Sequence, residues 1–436
     1  MTLTVLAYAL VIVFMTAIMT RRLSPMTALI LVPVTFGLLA GFGASLGEMM
    51  LAGVTKLAPT GVMLLFAILY FAIMLDAGLF EPFVQRLVRL VHGDPVRVVV
   101  GSAALALLVS LDGDGSTTYM ITTAAMLPVY RRMRLRPLVL ACVTMLASGV
   151  MNLLPWGGPT ARASSALALE VGEVFTPLVP SMVMGIAWVL YVAYRLGVAE
   201  QQRLAGLGSQ EVEGSDTQGL VVDDDDHTHR RPDRLIVNAL LTVVLLAALV
   251  AAAMPLPVLF MVAFAVALVL NYPSIDEQKA LLTRHAGNAL AVVGLIFAAG
   301  VFTGILSGTK MIDAMADSVV QLVPPGVGPH FAVVGGLLSI PFTFFISNDA
   351  FYYGVLPILA RAGEQYGIHG VEMARASLIG QPVHLLSPLV PSTFLLVGLC
   401  GVDFDAHQRF TFRWALLTAL VLLITALITG IVPFHS

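Results

Sequence analysis

"LVSLDGDGSTTYMITTAAMLPVY", residues 108–130, sets Asp112 and Asp114 inside a run that otherwise reads as membrane. A charged side chain at bilayer depth costs at least a few kcal/mol, so an acid there marks function or a polar cavity. The surrounding region, 97–130, divides at its polar tip, "DGDGSTT" (112–118). Each arm has roughly 11–16 residues, which at about 1.5 Å per residue covers only part of a ~30 Å hydrocarbon core. The pattern predicts a re-entrant helical hairpin that enters and leaves on one side. Region 331–360 has the same form around "SNDAF" (347–351).

Outward from that tip, the chain of 436 residues is 58% hydrophobic and 11% charged, with a mean hydropathy of +0.93. A soluble domain cannot bury that much apolar surface, so the composition predicts an all-α polytopic membrane protein. The net charge of −3 carries no nucleic-acid signal. Cys142 and Cys400 both lie in apolar stretches and read as buried thiols, not as a disulfide or metal pair. Apolar runs place spans near 3–19, 25–41, 60–79, 137–170 (interrupted) and 175–195. After a polar stretch they recur near 235–252, 255–271, 289–308, 372–402 (interrupted) and 413–433. The N-terminus is apolar first and basic afterwards, the reverse of a secretory signal, and is expected to stay as the first span.

Basic residues then set the sides. With the N-terminus outside, 18 of the 23 Lys and Arg residues fall in cytoplasmic loops, as the positive-inside rule requires. Arg162 is intramembrane, and only Lys56, Lys310, Arg361 and Arg375 are left outside. Both termini are expected to be external and the loop 200–234 cytoplasmic. That loop belongs to a polar linker, 196–234, whose Gly, Ser and Asp content suits a solvated connector.

The two parts flanking the linker, 1–195 and 235–436, are related. "LLFAILYFAIML" (64–75) aligns with "LIFAAGVFTGIL" (295–306), matching Leu64 to Leu295 and Phe71 to Phe302, 231 residues apart. The same spacing carries Ser116 to Ser347 and Thr117 to Asn348, and a spacing of 232 carries Pro159 to Pro391. Five spans per part make the second copy inverted. Inverted repeats with broken helices that meet at the midplane are a feature of secondary transporters.

Four segments carry the chemistry: the two tips and the broken spans "PWGGPTAR" (155–162) and "GQPVHLLSPLVPST" (380–393). Gly and Pro interrupt each helix and free backbone groups that lipid cannot satisfy. Helix starts near Ser116, Asn348 and Pro159 favour an anion, and Arg162 offers a planar fork suited to a carboxylate. Yet Asp112, Asp114 and Asp349 share the region. A polycarboxylate meeting three acids needs protons or a cation between them. The Asp, Ser, Thr and Asn oxygens suit Mg²⁺ or Ca²⁺. The acids either carry coupling protons or contact a metal that arrives with the substrate, and His384 is a further candidate for coupling. The plainer readings are a helix cap for the Asp pair, a membrane anchor for Arg162 and a backbone hydrogen bond for His384.

"LVSLDGDGSTTYMIT", "NLLPWGGPTARA", "LAPTGVMLLFAILYF" and "FFISNDAFYYGVLP" closely resemble the citrate–divalent-metal:proton symporters, the CitMHS family of the ion transporter superfamily. The resemblance covers almost the whole chain and is weakest in 196–234. It implies uptake of a citrate–metal complex with protons across the cell inner membrane, by a homodimer working through an elevator movement. No permanently bound cofactor is implied, and the co-transported metal is Mg or Ca, with Fe left open. The carried-over substrate site is Ser116, Thr117, Gly158, Pro159, Thr160, Arg162, Ser347, Asn348, Pro391, Ser392 and Thr393. Asp112, Asp114, Asp349 and His384 would serve the metal or the protons. Where the superfamily uses Ser-Asn-Thr tips, this chain has Ser116-Thr117-Thr118 and Ser347-Asn348-Asp349, a departure that argues against sodium coupling. The alternatives are a proton-coupled gluconate-type or dicarboxylate carrier without metal, and an ion channel. No HExxH motif or Ser–His–Asp grouping points to an enzyme.

Overall fold

Proline in the first turn of a helix lacks only an N–H that would be unpaired there anyway, and its fixed φ suits helix entry. This chain uses that device at α2 (Pro25–Leu39), α5 (Pro95–Val109), α7 (Pro137–Met151), α8 (Gly158–Leu167) and α11 (Leu256–Asn271). It does so again at α15 (Leu356–Glu364) and α18 (Pro391–Cys400). The structure, a computed structural model, describes residues 3–90, 93–206, 231–251, 253–324 and 326–435. Among them every regular element is helical.

The first part begins with α1 (Leu3–Met19), α2, the long α3 (Leu46–Asp76) and the short α4 (Glu81–Leu90). A hairpin of α5 and α6 (Gly115–Arg132) follows, then the broken pair α7 and α8, then α9 (Val171–Gly206). The second part repeats the order. It runs α10 (Leu235–Val250), α11, the long α12 (Ile275–Gly308) and the short α13 (Met311–Leu322). Its hairpin is α14 (Phe331–Phe345), a π-helical turn (Ala350–Val355) and α15. Its broken pair is α16 (Gly370–Ser377) with α17 (Gln381–His384), followed by α18, and α19 (Phe404–Ile428) closes it.

Packing is reciprocal. Helix α2 lies on α12 and α11 on α3, α6 meets α18 and α8 meets α15, while α3 packs on α12 and α9 on α19. The α3–α12 crossing is backbone on backbone. A Cβ on Gly53 would sit 2.0 Å from the Gly300 carbonyl oxygen, and one on Gly304 would sit 2.2 Å from that of Met49. Small residues permit such approach where helices associate in lipid.

Two boundaries differ from the sequence reading. Helices α3 and α12 both start 14 residues before their apolar windows. Their early turns carry Glu48 and Lys56, and Asp276, Glu277, Lys279 and Arg284, which lower hydropathy without interrupting the helix. Helix α9 runs to Gly206, into the expected linker, because buried Glu200 is held there by charge-assisted bonds. It accepts from Arg136 N at 3.1 Å, Arg136 Nε at 2.5 Å and Arg203 Nη2 at 2.8 Å. The rest of the linker, 207–230, lies outside the described residues.

Seven of the described helices are long and apolar enough to cross a bilayer. Two of these, Pro95–Asp112 and Gly328–Phe345, are first arms of the hairpins, longer than the arms read from sequence. Length therefore does not separate an arm from a span. The turn that follows does.

Candidate functional site

At the first tip, α5 passes through a 3₁₀ turn (Ser110–Asp112) into Gly113, whose φ of +80° favours glycine. A Cβ at Gly113 would lie 2.6 Å from Trp156 Cδ1, and the Trp156 indole donates to Leu111 O at 2.8 Å. The two acids fold this turn. Asp112 Oδ1 accepts from Asp114 N at 2.9 Å. Asp114 caps α6, accepting from Ser116 N and Thr117 N at 3.1 Å each and from the Thr117 hydroxyl at 2.6 Å. A carboxylate has about four lone-pair sites, so the exposed Asp114 keeps one for a ligand. A polar crevice runs from Asp114 and Gly115 to Ser148 and Asn152 at the end of α7.

In the first broken helix, the turn between α7 and α8 is tight. A Cβ on Gly157 would meet Asn152 O at 2.3 Å. Thr160, buried, donates to Leu153 O at 3.0 Å, restoring a partner to a carbonyl that the break frees. In the second, Thr393 donates to Leu385 O in the same way. Pro159 and Pro391 open the two half-helices. Gly158 leaves room for Arg162 to fold back over its own helix start, since a Cβ there would lie 2.7 Å from Arg162 Nη1.

Arg162 does not stand alone. Its Nε lies 2.6 Å from Asp349 Oδ1 at the second tip, with the side chains 24% and 15% exposed. The sequence reading assigned these residues separately, to citrate and to metal or protons. The fold makes them an ion pair joining the first broken helix to the second hairpin. Tyr353 OH, 3.0 Å from Ser165 Oγ, reinforces the joint. Ser347 Oγ accepts from Ala350 N at 3.2 Å and so caps the second arm. Asn348 faces Gln381, whose amide donates to Asn348 Oδ1 at 3.2 Å and to Tyr352 OH at 2.8 Å.

His384 gives its Nδ1 proton to Thr343 O at 2.6 Å, tying α17 to the first arm of the second hairpin. Ser392 Oγ lies 3.8 Å from the Cβ position of Gly115, so α18 adjoins the first tip as α8 adjoins the second. The broken helices cross where a Cβ on Gly149 would lie 2.9 Å from Pro382 Cα. Of the candidate residues, Arg162, Asp349 and Asn348 gather at one tip, and Asp112, Asp114, Ser116, Thr117 and Ser392 at the other. Thr160 and Thr393 turn to backbone carbonyls. Among the described residues no three His, Cys, Asp or Glu side chains converge on a preformed metal site. Gln381 escaped the sequence reading. Its signal was a polar residue just before Pro382 in the broken helix.

This architecture matches solved transporters. The YdaH transporter of Alcanivorax borkumensis superposes with a TM-score of 0.63 over 91% of this chain and 90% of that one, at 15% identity. MtrF of Neisseria gonorrhoeae gives 0.60 over 90% and 84%, at 14% identity. The likeness extends over most of each chain and shows a shared all-helical fold.

Residues 3–380 match the family model CitMHS, citrate transporter. In Bacillus subtilis strain 168, a citrate transporter is 56% identical over 99% of this chain and 100% of its own length. A Mg(2+)/citrate complex secondary transporter of the same organism is 48% identical over 98% of each. The chain belongs to the CitMHS citrate transporter family, and it is a transporter, not an enzyme.

Proposed function

We propose that the protein is a secondary active transporter that takes up citrate as its complex with a divalent metal, in symport with protons. The observation that carries this reading is the Arg162–Asp349 pair, 2.6 Å apart and mostly buried. A ligand that enters between these groups must answer both charges, because an unpaired buried ion is costly. Bare citrate would satisfy Arg162 and leave Asp349 facing further negative charge. A bare cation would do the reverse. A metal–citrate complex presents a carboxylate to the guanidinium and a cation face to the acid. The Asp, Ser and Asn oxygens at the two tips suit Mg²⁺ or Ca²⁺, and one relative carries the name of a Mg(2+)/citrate transporter.

In this reading Ser116, Thr117, Ser347, Asn348 and the Gly158–Thr160 turn hold carboxylates and hydroxyl through side chains and free N–H groups. Asp112 and Asp114 take the coupling protons or reach the metal. The reciprocal packing of the two parts supports inverted repeats, with the hairpins entering from opposite faces. The α3–α12 pair suits a fixed scaffold past which hairpins and broken helices move, in a homodimer with external termini in the plasma membrane.

Uptake by purified protein in proteoliposomes tests this, using labelled citrate with Mg²⁺, Ca²⁺ or Fe³⁺, with and without a pH gradient. Accumulation that needs both the metal and the gradient is expected. Uptake of free citrate undiminished by excess EDTA would give the site to a proton-coupled carboxylate carrier instead.

A further inference from the structure

Away from the tips, α3, α12 and α13 face α8, α15 and α16 across a cavity of about 630 Å³. That is within the ~300–1,000 Å³ range of small-molecule sites. Three of the four cations that the loop charges leave outside, Lys56, Lys310 and Arg361, line it. Their surroundings are not equal. Arg361 is neutralised, with Nε 2.6 Å from Asp313 Oδ1 and Nη1 bonded to Glu364. Lys310 lies 3.7 Å from the same Asp313. Lys56 has no ion-pair partner among the described residues. It lies ten residues into α3, about 15 Å along the helix axis, and lines the cavity. Lys56 is exposed on the cavity wall, so its uncompensated charge acts on whatever solute enters.

We infer that this cavity is the outer entry vestibule of the transporter, and that Lys56 captures the anionic metal–citrate complex there before it reaches Arg162. The inference rests on the citrate reading and on the orientation proposed above. A low-dielectric cleft focuses the field of a single unpaired charge and raises the local concentration of counter-charged solute. The seam between α3–α12 and the α8–α15 side is also where an elevator movement would open and close.

The test uses the vestibule's own potential. Ser307, exposed on the cavity wall, is changed to Cys. The native Cys142 and Cys400 are buried, so background labelling is low. Right-side-out vesicles are treated with an anionic and a cationic methanethiosulfonate reagent of similar size. The anionic-to-cationic rate ratio should fall about threefold on Lys56→Gln, recover with Lys56→Arg, and lose its Lys56 dependence in ~1 M salt. In proteoliposomes Lys56→Gln should raise the KM for Mg–citrate by a similar factor at low salt. A ratio that ignores Lys56, or a Ser307→Cys thiol reached only from the inner side, overturns the inference. A ratio that responds while wild-type protein takes up no citrate would sustain the vestibule and remove citrate as its cargo.

Discussion

Replacing Asp349 by Asn keeps the side chain's shape and removes the charge that Arg162 holds at 2.6 Å. Two unit charges about 4 Å apart interact by ~4 kcal/mol at an effective dielectric of ~20. The side chains are 24% and 15% exposed, and allowing solvent to screen half of that leaves ~2 kcal/mol. On the metal–citrate function proposed above, this attraction competes with substrate for Arg162, and the acid turns to the metal once the complex is bound. The variant therefore frees Arg162 for any carboxylate and removes the partner of the cation. Free citrate should bind as well as before or better, and Mg–citrate worse. At about 1.4 kcal/mol per tenfold, the preference for Mg–citrate should fall by ~30-fold. Isothermal titration of detergent-purified protein with citrate, in Mg²⁺ and in EDTA, measures both affinities. An Asp349→Asn protein that keeps the wild-type preference within about threefold would refute the charge-exchange reasoning.

Arg162→Lys retains charge without the planar fork, so citrate affinity should drop tenfold or more at unchanged expression; unchanged affinity would make Arg162 an anchor. Asp114→Asn keeps one acceptor for the α6 cap, and proteoliposome uptake should show either an altered metal requirement or uncoupling from the pH gradient. Unaltered uptake on both counts would confine Asp114 to capping. Gly53→Leu should cost more than about 4 kcal/mol by forcing α3 from α12, seen as loss of the monodisperse peak on size-exclusion chromatography. Gly47→Leu, whose Cβ position meets nothing within 4 Å, is its control. Impermeant thiol labelling of intact cells should reach Ser436→Cys and spare Ser215→Cys; the opposite pattern reverses the topology.

The breaks at Gly157–Pro159 and Pro382–Pro391 were legible because Gly and Pro cluster there, whereas single prolines such as Pro33, Pro59 and Pro128 sit inside continuous helices. Both thiols were also legible, and the structure leaves Cys142 and Cys400 free and buried. Partners were not legible. Arg162 and Asp349 are 187 residues apart, and nothing local in either stretch says that they face each other. Thr160 and Thr393 read as ligand groups, and their hydroxyls also serve carbonyls freed by the breaks, a need that appears only once the helix has stopped. The early turns of α3 and α12 were lost for a different reason. Their charged residues lower a windowed hydropathy even where, as at Lys56, the side chain lines a cavity.

Each half-helix start in this protein completes the other part's hairpin: α8 brings Arg162 to Asp349, and α18 brings Ser392 to the first tip. A chain of half this length would hold a guanidinium without its counter-charge and a hairpin tip without its half-helix. If the gene arose by duplication, the single-repeat ancestor needed two copies, oppositely inserted on the inverted-repeat reading proposed above, to bring each half-helix to a tip. Fusion then fixed their ratio and their orientation, and only afterwards were the two tips free to diverge, one gaining the Asp112–Asp114 pair and the other the lone Asp349.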